Sequence, residues 1–261
     1  MNETVSARRT PAGGWPAAAG LDEAVVPTEP EAFVYEPHHT NVSGGWLRAA
    51  VFGAMDGLVT NISLIAGVGG GGVGRQAIVL TGVAGLVAGA ISMALGEYTS
   101  VRTQNEQLDA EVAKERRELR LHSSAERAEL VELLQRAGLS LELAKRIADE
   151  AADNAELELR LHSLTELGVI PEEKPSPWTA AASSFVCFAV GALFPLLTFL
   201  LGFDQLWLAL AVGGVGLFGA GAIAASATTA RWWAGGLRQV LLGAAAAAVT
   251  YLVGSLIGAV V

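Results

Sequence analysis

The chain has 261 residues, 52% of them hydrophobic and only 16% charged, a composition too apolar for an ordinary soluble domain. Its formal charge of −9 argues against a nucleic-acid partner, and its one cysteine, Cys187, excludes a disulfide framework or a Cys-based zinc site. The apolarity is uneven: residues 1–45 are polar and acidic, 46–101 apolar, 102–177 highly charged, and 178–261 apolar again.

Residues 1–45 read as a disordered cytoplasmic tail. Arg8 and Arg9 are followed by Pro, Ala and Gly rather than by a continuous apolar core, so no secretory signal is visible. His38 and His39 form a lone pair in an acidic context and are expected to be incidental. Five later stretches are long enough to cross a hydrocarbon core of about 30 Å, which takes roughly 20 helical residues. They fall near 47–68, 76–101, 178–201, 205–229 and 236–259. The first two, within 46–101, are joined by the glycine-rich run Gly69 to Arg75, and Pro195 should kink or loosen the third.

Between the second and third spans lies a charged segment, 102–177, with 17 Asp or Glu against 11 Lys or Arg. No Pro or Gly lies between Gly96 and Leu121, so the second span is expected to run on as a charged helix to about Leu121. Ser123 and Glu126 have the spacing of a capping box for a second helix, ended by Gly138. Ser140 caps a third, expected to reach Leu167 and to stop at Gly168 and Pro171. The fold expected is thus an all-α membrane protein of five transmembrane helices, with a cytoplasmic three-helix insert between spans 2 and 3. Orientation follows from Lys and Arg. With the insert and N-terminus cytoplasmic, Arg75 is the only one of 17 positive residues on the far side. Gly82, Gly85, Gly89, Ser92 and Gly96, with Gly213, Gly216 and Gly219 to Gly221, allow close helix approach in lipid. Five helices seldom enclose a polar path alone, so a homodimer with the path near its two-fold axis is expected.

Several residues break the apolar pattern. Asp56 lies in the middle of the first span, where a carboxylate costs several kcal/mol unless it faces a bundle interior, water or a cation. The plainer alternative for it, a buried protonated acid bonded to Thr60, is weak, since no Lys or Arg lies near it in its span. Asp56 is nine residues beyond Leu47 and Met93 eight before Val101, so antiparallel neighbours place both roughly 12–14 Å from the cytoplasmic end. Glu97 is one turn nearer the cytoplasm. Carboxylate, thioether and carboxylate in a column suit stepwise passage of a borderline transition metal; lipid packing for Met93 and snorkelling for Glu97 are the plainer alternatives.

In the insert, Glu118-Leu-Arg-Leu-His122-Ser-Ser-Ala-Glu126 is nearly duplicated as Glu158-Leu-Arg-Leu-His162-Ser-Leu-Thr-Glu166. Glu, His and Glu every four residues share one face of a continuous helix, and together suit Fe2+, Mn2+ or Zn2+ better than Ca2+. Solvated Glu–Arg pairs or a short duplication account for the repeat as well. Glu115, Glu118, Glu126 and Glu129 flank the turn after Leu121, where crowded acids are unfavourable unless a cation joins them.

The motifs Ala54-Met-Asp56-Gly57-Leu-Val-Thr60-Asn and Gly89-Ala-Ile-Ser92-Met93-Ala-Leu-Gly96-Glu97-Tyr98-Thr-Ser100 closely resemble the vacuolar iron transporter family. The likeness covers residues 46 to 261 in order. It implies a dimer with five spans per subunit and a cytoplasmic metal-binding domain, exporting Fe2+ and often Mn2+ from the cytosol in exchange for protons. It further implies that Asp56, Met93 and Glu97 line the pathway, and that Glu115, Glu118, Glu126, Glu129 and Glu166 bind metal. Plant members carry methionines where this chain has His162 and Ser163, which makes His162 a further candidate ligand.

The expected function is a proton-coupled secondary transporter in the lipid bilayer, with divalent metal as cargo (Fe2+ and Mn2+, then Zn2+) and no resident cofactor or enzymatic reaction. The bacterial cell membrane is the expected location, since no targeting segment is visible. A membrane-anchored metal sensor is the rival reading. A di-iron enzyme is poorly supplied, with four His and no Glu-x-x-His pair in the spans or the insert, and no Walker-type loop supports an ATP-driven pump.

Overall fold

A computed structural model describes residues 45–226 and 231–260. The tail, with His38 and His39, lies outside the described residues except for Gly45, as does the end of the expected fourth span. The described residues form helices only: α1 (Trp46–Gly70), α2 (Arg75–Leu121), α3 (Ser123–Arg136), α4 (Leu141–Ala152), α5 (Ala155–His162) running into a π-helical turn (Ser163–Leu167), α6 (Pro177–Leu200), α7 (Leu206–Ser226) and α8 (Trp232–Gly258). Helices α1, α2, α6, α7 and α8 are long and apolar enough to cross a membrane, which makes the chain a multi-span helical membrane protein.

The 47 residues of α2 extend about 70 Å, more than twice the hydrocarbon thickness. Its first half is apolar and its second charged, so one continuous helix joins a span to the insert, as the sequence predicts. α1 is the hub of the spans, packing on α2, α6, α7 and α8, while α6 lies along both α1 and α2. Leu58, Ile62 and Ala66 of α1 meet Leu217 of α7 and Ala247 of α8. Farther along, Ile65 meets Ile78 of α2, Leu196 and Phe199 of α6, and Ala209 of α7.

Backbone contact sets these distances. A Cβ at Gly57 would lie 2.2 Å from the carbonyl oxygen of Phe188, and one at Gly191 2.3 Å from that of Ala54. Both clashes are with backbone, which cannot rotate away, so α1 and α6 would have to separate. Gly57→Ala should therefore destabilise the bundle by about 2 kcal/mol or more, read as a lower thermal midpoint and loss of the monodisperse peak in size-exclusion chromatography.

Helix α6 continues through Pro195, which has no N–H for the Gly191 carbonyl. Neighbouring polar groups brace this turn: Asn61 Nδ2 donates to the Ala192 carbonyl from α1, and Thr198 Oγ1 donates to that of Pro195 at 3.0 Å. At the opposite end from the insert, Arg75 Nε donates to the Phe199 carbonyl at 2.9 Å and lies 3.7 Å from Asp204.

The insert differs from expectation in two places. Its third helix is broken: Asn154 accepts from the backbone N–H groups of Glu156 and Leu157, both at 3.2 Å, and so restarts the chain as α5. The expected Ser123–Glu126 capping box is not formed. His122 occupies the N-cap with φ −132° and ψ 34°, Ser123 is already helical, and the Glu126 side chain turns inward instead. Other stops match the reading: Ser140 Oγ accepts from Leu143 N–H at 3.4 Å, while Gly138 and Gly168 adopt positive φ just beyond their helices. α3 and α4 pack around Leu130, Leu134, Ala144, Ala148 and Ala151. The return segment is tied to α2 by Asn105 Nδ2 donating to the Pro175 carbonyl at 3.0 Å and by the Lys174–Asp109 ion pair.

Candidate metal site

The break at His122 positions the first half of the site. α2 ends one residue earlier, the chain reverses, and Glu126 in the first turn of α3 comes back against Glu115 on α2. α5 supplies the second half. His162 is its last α-helical residue, and the π-helical turn that follows carries Glu166. One ligand atom from each of Glu115, Glu126, His162 and Glu166 lies within 4.8 Å of the others.

Within this group, His162 Nδ1 is 2.7 Å from Glu166 Oε1, 3.1 Å from Glu115 Oε1 and 4.0 Å from Glu126 Oε2. The imidazole is fully buried, and Glu115 and Glu126 are nearly so. A single N–H at Nδ1 serves one of these carboxylates, and the shortest contact assigns it to Glu166. Glu115 Oε1, His162 Nε2 and Ser163 Oγ are left buried without hydrogen-bond partners. Burial pushes the Glu115 carboxyl up to about 7; Glu166, Glu126 and Glu118 push the same way, and His162 opposes them. Glu126 is also raised, first by burial and then by Glu129. Three carboxyls and an imidazole with ligand atoms within 4.8 Å of one another form a donor set that a borderline divalent cation would complete.

Glu118 and Glu129, read from sequence as ligands, are not in the four-atom group; Glu118 is half-buried, Glu129 is exposed, and both act on the group through their charge. The duplicated motif is used asymmetrically. Its second copy contributes both His162 and Glu166, whereas the first is cut by the helix break, leaving His122 exposed and only Glu126 in the group.

The candidates in the spans occupy separate surroundings. Asp56 is half-buried and accepts a hydrogen bond from Thr60 Oγ1 at 3.3 Å. Thr60 and Ser63, one and two turns farther from the insert, line a groove of about 950 Å³ between α1 and α8, together with Thr250. Met93 packs on the cluster of Ala90, Phe188 and Ala192 between α2 and α6. Glu97 is 9% exposed and is held by the Arg48 guanidinium, a partner that sequence reasoning missed.

Five apolar spans, two of them interrupted by an acid (Asp56 and Glu97), joined through α2 to a cluster of three carboxyls and an imidazole, define the class: a multi-span helical membrane protein. The sequence pattern of the VIT family matches residues 47–255, and the chain belongs to that family. It is 36% identical to "Vacuolar iron transporter homolog 1" of Oryza sativa subsp. japonica over 218 residues, 82% of this chain and 74% of that protein. Identity to "Vacuolar iron transporter" of Acanthamoeba castellanii is 34% over 226 residues, covering 85% and 82%. Identity to "Vacuolar iron transporter 1" of Arabidopsis thaliana is 30% over 179 residues, covering 66% and 70%.

Proposed function

We propose that this protein is a secondary transporter that moves divalent iron, manganese or both out of the cytosol in exchange for protons. The observation that carries this reading is the continuity of α2: the helix that bears Glu115 of the four-donor cluster also bears Met93 and Glu97 in its membrane half. In this reading the insert is cytosolic and captures metal, and Asp56, Met93 and Glu97 pass it across. The protein works as a homodimer with its N-terminus in the cytosol. A carboxylate must release its proton to hold a metal, so metal and proton compete for the same oxygens, which is the elementary requirement of antiport. The relatives' names speak of the vacuole, and we propose the cell membrane for this chain. In either membrane the same orientation removes metal from the cytosol.

The test is metal uptake into acid-loaded proteoliposomes with the insert facing outward, with Fe2+, Mn2+ and Zn2+ in competition. Fe2+ or Mn2+ should accumulate, and the accumulation should stop when an ionophore collapses the proton gradient. Flux indifferent to that gradient overturns antiport. Because the buried cluster is complete within the insert, a second reading, a membrane-anchored metal sensor, has a structural basis; metal binding without flux would establish it.

A further inference from the structure

The Arg48–Glu97 pair has an unequal build. The Glu97 side chain is 9% exposed and fixed in the membrane half of α2, whereas that of Arg48 is 62% exposed near the start of α1. Withdrawing Arg48 into water is easy for the guanidinium. Glu97 is different: a buried carboxylate left without a counter-charge is unfavourable by several kcal/mol. At a pH where the carboxylate stays ionised, another cation on Glu97 releases Arg48 without that penalty. Beside the pair, Ala49, Val101 and Ala180 close into a buried apolar plug drawn from α1, α2 and α6. Ser183 Oγ donating to the Trp46 carbonyl at 3.0 Å, and Tyr98 tilted against Trp178 with ring centroids 4.8 Å apart, draw α6 against both other helices at the same level.

We propose that Arg48 is a displaceable latch: its guanidinium holds Glu97 and keeps the plug shut, and an arriving divalent cation takes its place on the carboxylate and frees α1 from α2. The inference rests on the reading of Glu97 as part of the metal route. It gives that route a gate at the insert side, opened by the cargo itself, with Arg48 as a positioning residue that never holds the metal.

The test places a reporter in the plug of the full chain: Val101→Cys in a Cys187→Ser background, labelled with a membrane-impermeant thiol reagent. Labelling should be slow without metal and about tenfold faster with saturating Mn2+, the factor that corresponds to one charge-assisted pair. Arg48→Lys keeps the latch and should behave the same way. Arg48→Gln should label rapidly with or without Mn2+. Because that variant strands a buried acid and can fail to fold, Arg48→Gln/Glu97→Gln is the companion, and it should also label rapidly and ignore Mn2+. Slow labelling of the double variant, or a parent rate that Mn2+ leaves unchanged, overturns the latch. Labelling is independent of flux: a parent that shows the Mn2+ response without transporting metal overturns the transport reading and leaves the latch standing.

Discussion

Asp56→Ala and Asp56→Asn should both reduce metal flux in reconstituted vesicles to background, about a hundredfold or more, without lowering the thermal midpoint. The two halves of this expectation come from one fact. Asp56 is half-buried in an apolar span, and among the described residues its recorded partner is the Thr60 hydroxyl at 3.3 Å. An acid so placed is unfavourable by several kcal/mol and ordinarily marks an ion or proton path. Removing it should therefore leave stability unchanged or raised, whereas loss of a packing residue would lower it. Asparagine tests the charge, because it keeps the size and the Thr60 contact but cannot exchange a metal for a proton. Thr60, whose hydroxyl donates to Asp56, also lines the groove between α1 and α8 together with Ser63 and Thr250. Flux is read from metal uptake, and stability from thermal unfolding of the same preparations. Normal transport by Asp56→Ala would remove this residue from the route.

Much of this arrangement was legible because lipid constrains helices severely. Twenty apolar residues in a row have few other fates, and the expected spans differ from α1, α6 and α8 by a few residues at their ends. The run of α2 to Leu121 followed from the absence of Pro and Gly. Harder to read were the places where side-chain chemistry outweighs local propensity. Ser123 and Glu126 have the spacing of a capping box, but Glu126 is drawn into the cluster, and the box is lost to a tertiary contact. The break at Asp153 and Asn154 was signalled by two residues that favour caps over helix interiors; a continuous helix to Leu167 gave that signal too little weight. The π-helical turn at Ser163–Leu167, which shifts the register just before Glu166, has no sequence signature. Arg48 was within reach. The antiparallel register that sets Asp56 level with Met93 brings Arg48 within about one turn of Glu97, a distance that an arginine side chain spans.

Glu115→Gln should weaken metal binding at pH 7.5 by about a hundredfold while making the metal-free protein more stable. The Glu115 carboxyl is held at about 7 against an ordinary 4.5, chiefly by burial and then by Glu166. Below pH 4.5 it is protonated in the folded and unfolded chain alike. Between 4.5 and about 7 the unfolded chain gives up this proton first, so the metal-free fold loses stability as the pH rises, by roughly 3 kcal/mol across the window. A metal cation reverses that sign. It binds the deprotonated oxygen, so affinity should climb about tenfold per pH unit up to 7 and then level off, with about one proton released per metal below that point. Calorimetric titration of the full chain with Mn2+ in buffers of different ionisation enthalpy measures both affinity and proton release. Glutamine keeps the shape of the side chain but neither titrates nor offers an anionic ligand, so the pH slope should flatten along with the loss of affinity. An unchanged slope would place the titrating proton elsewhere in the cluster, on Glu126, and Glu115 would then serve as a fixed acceptor rather than as the group that exchanges a proton for metal.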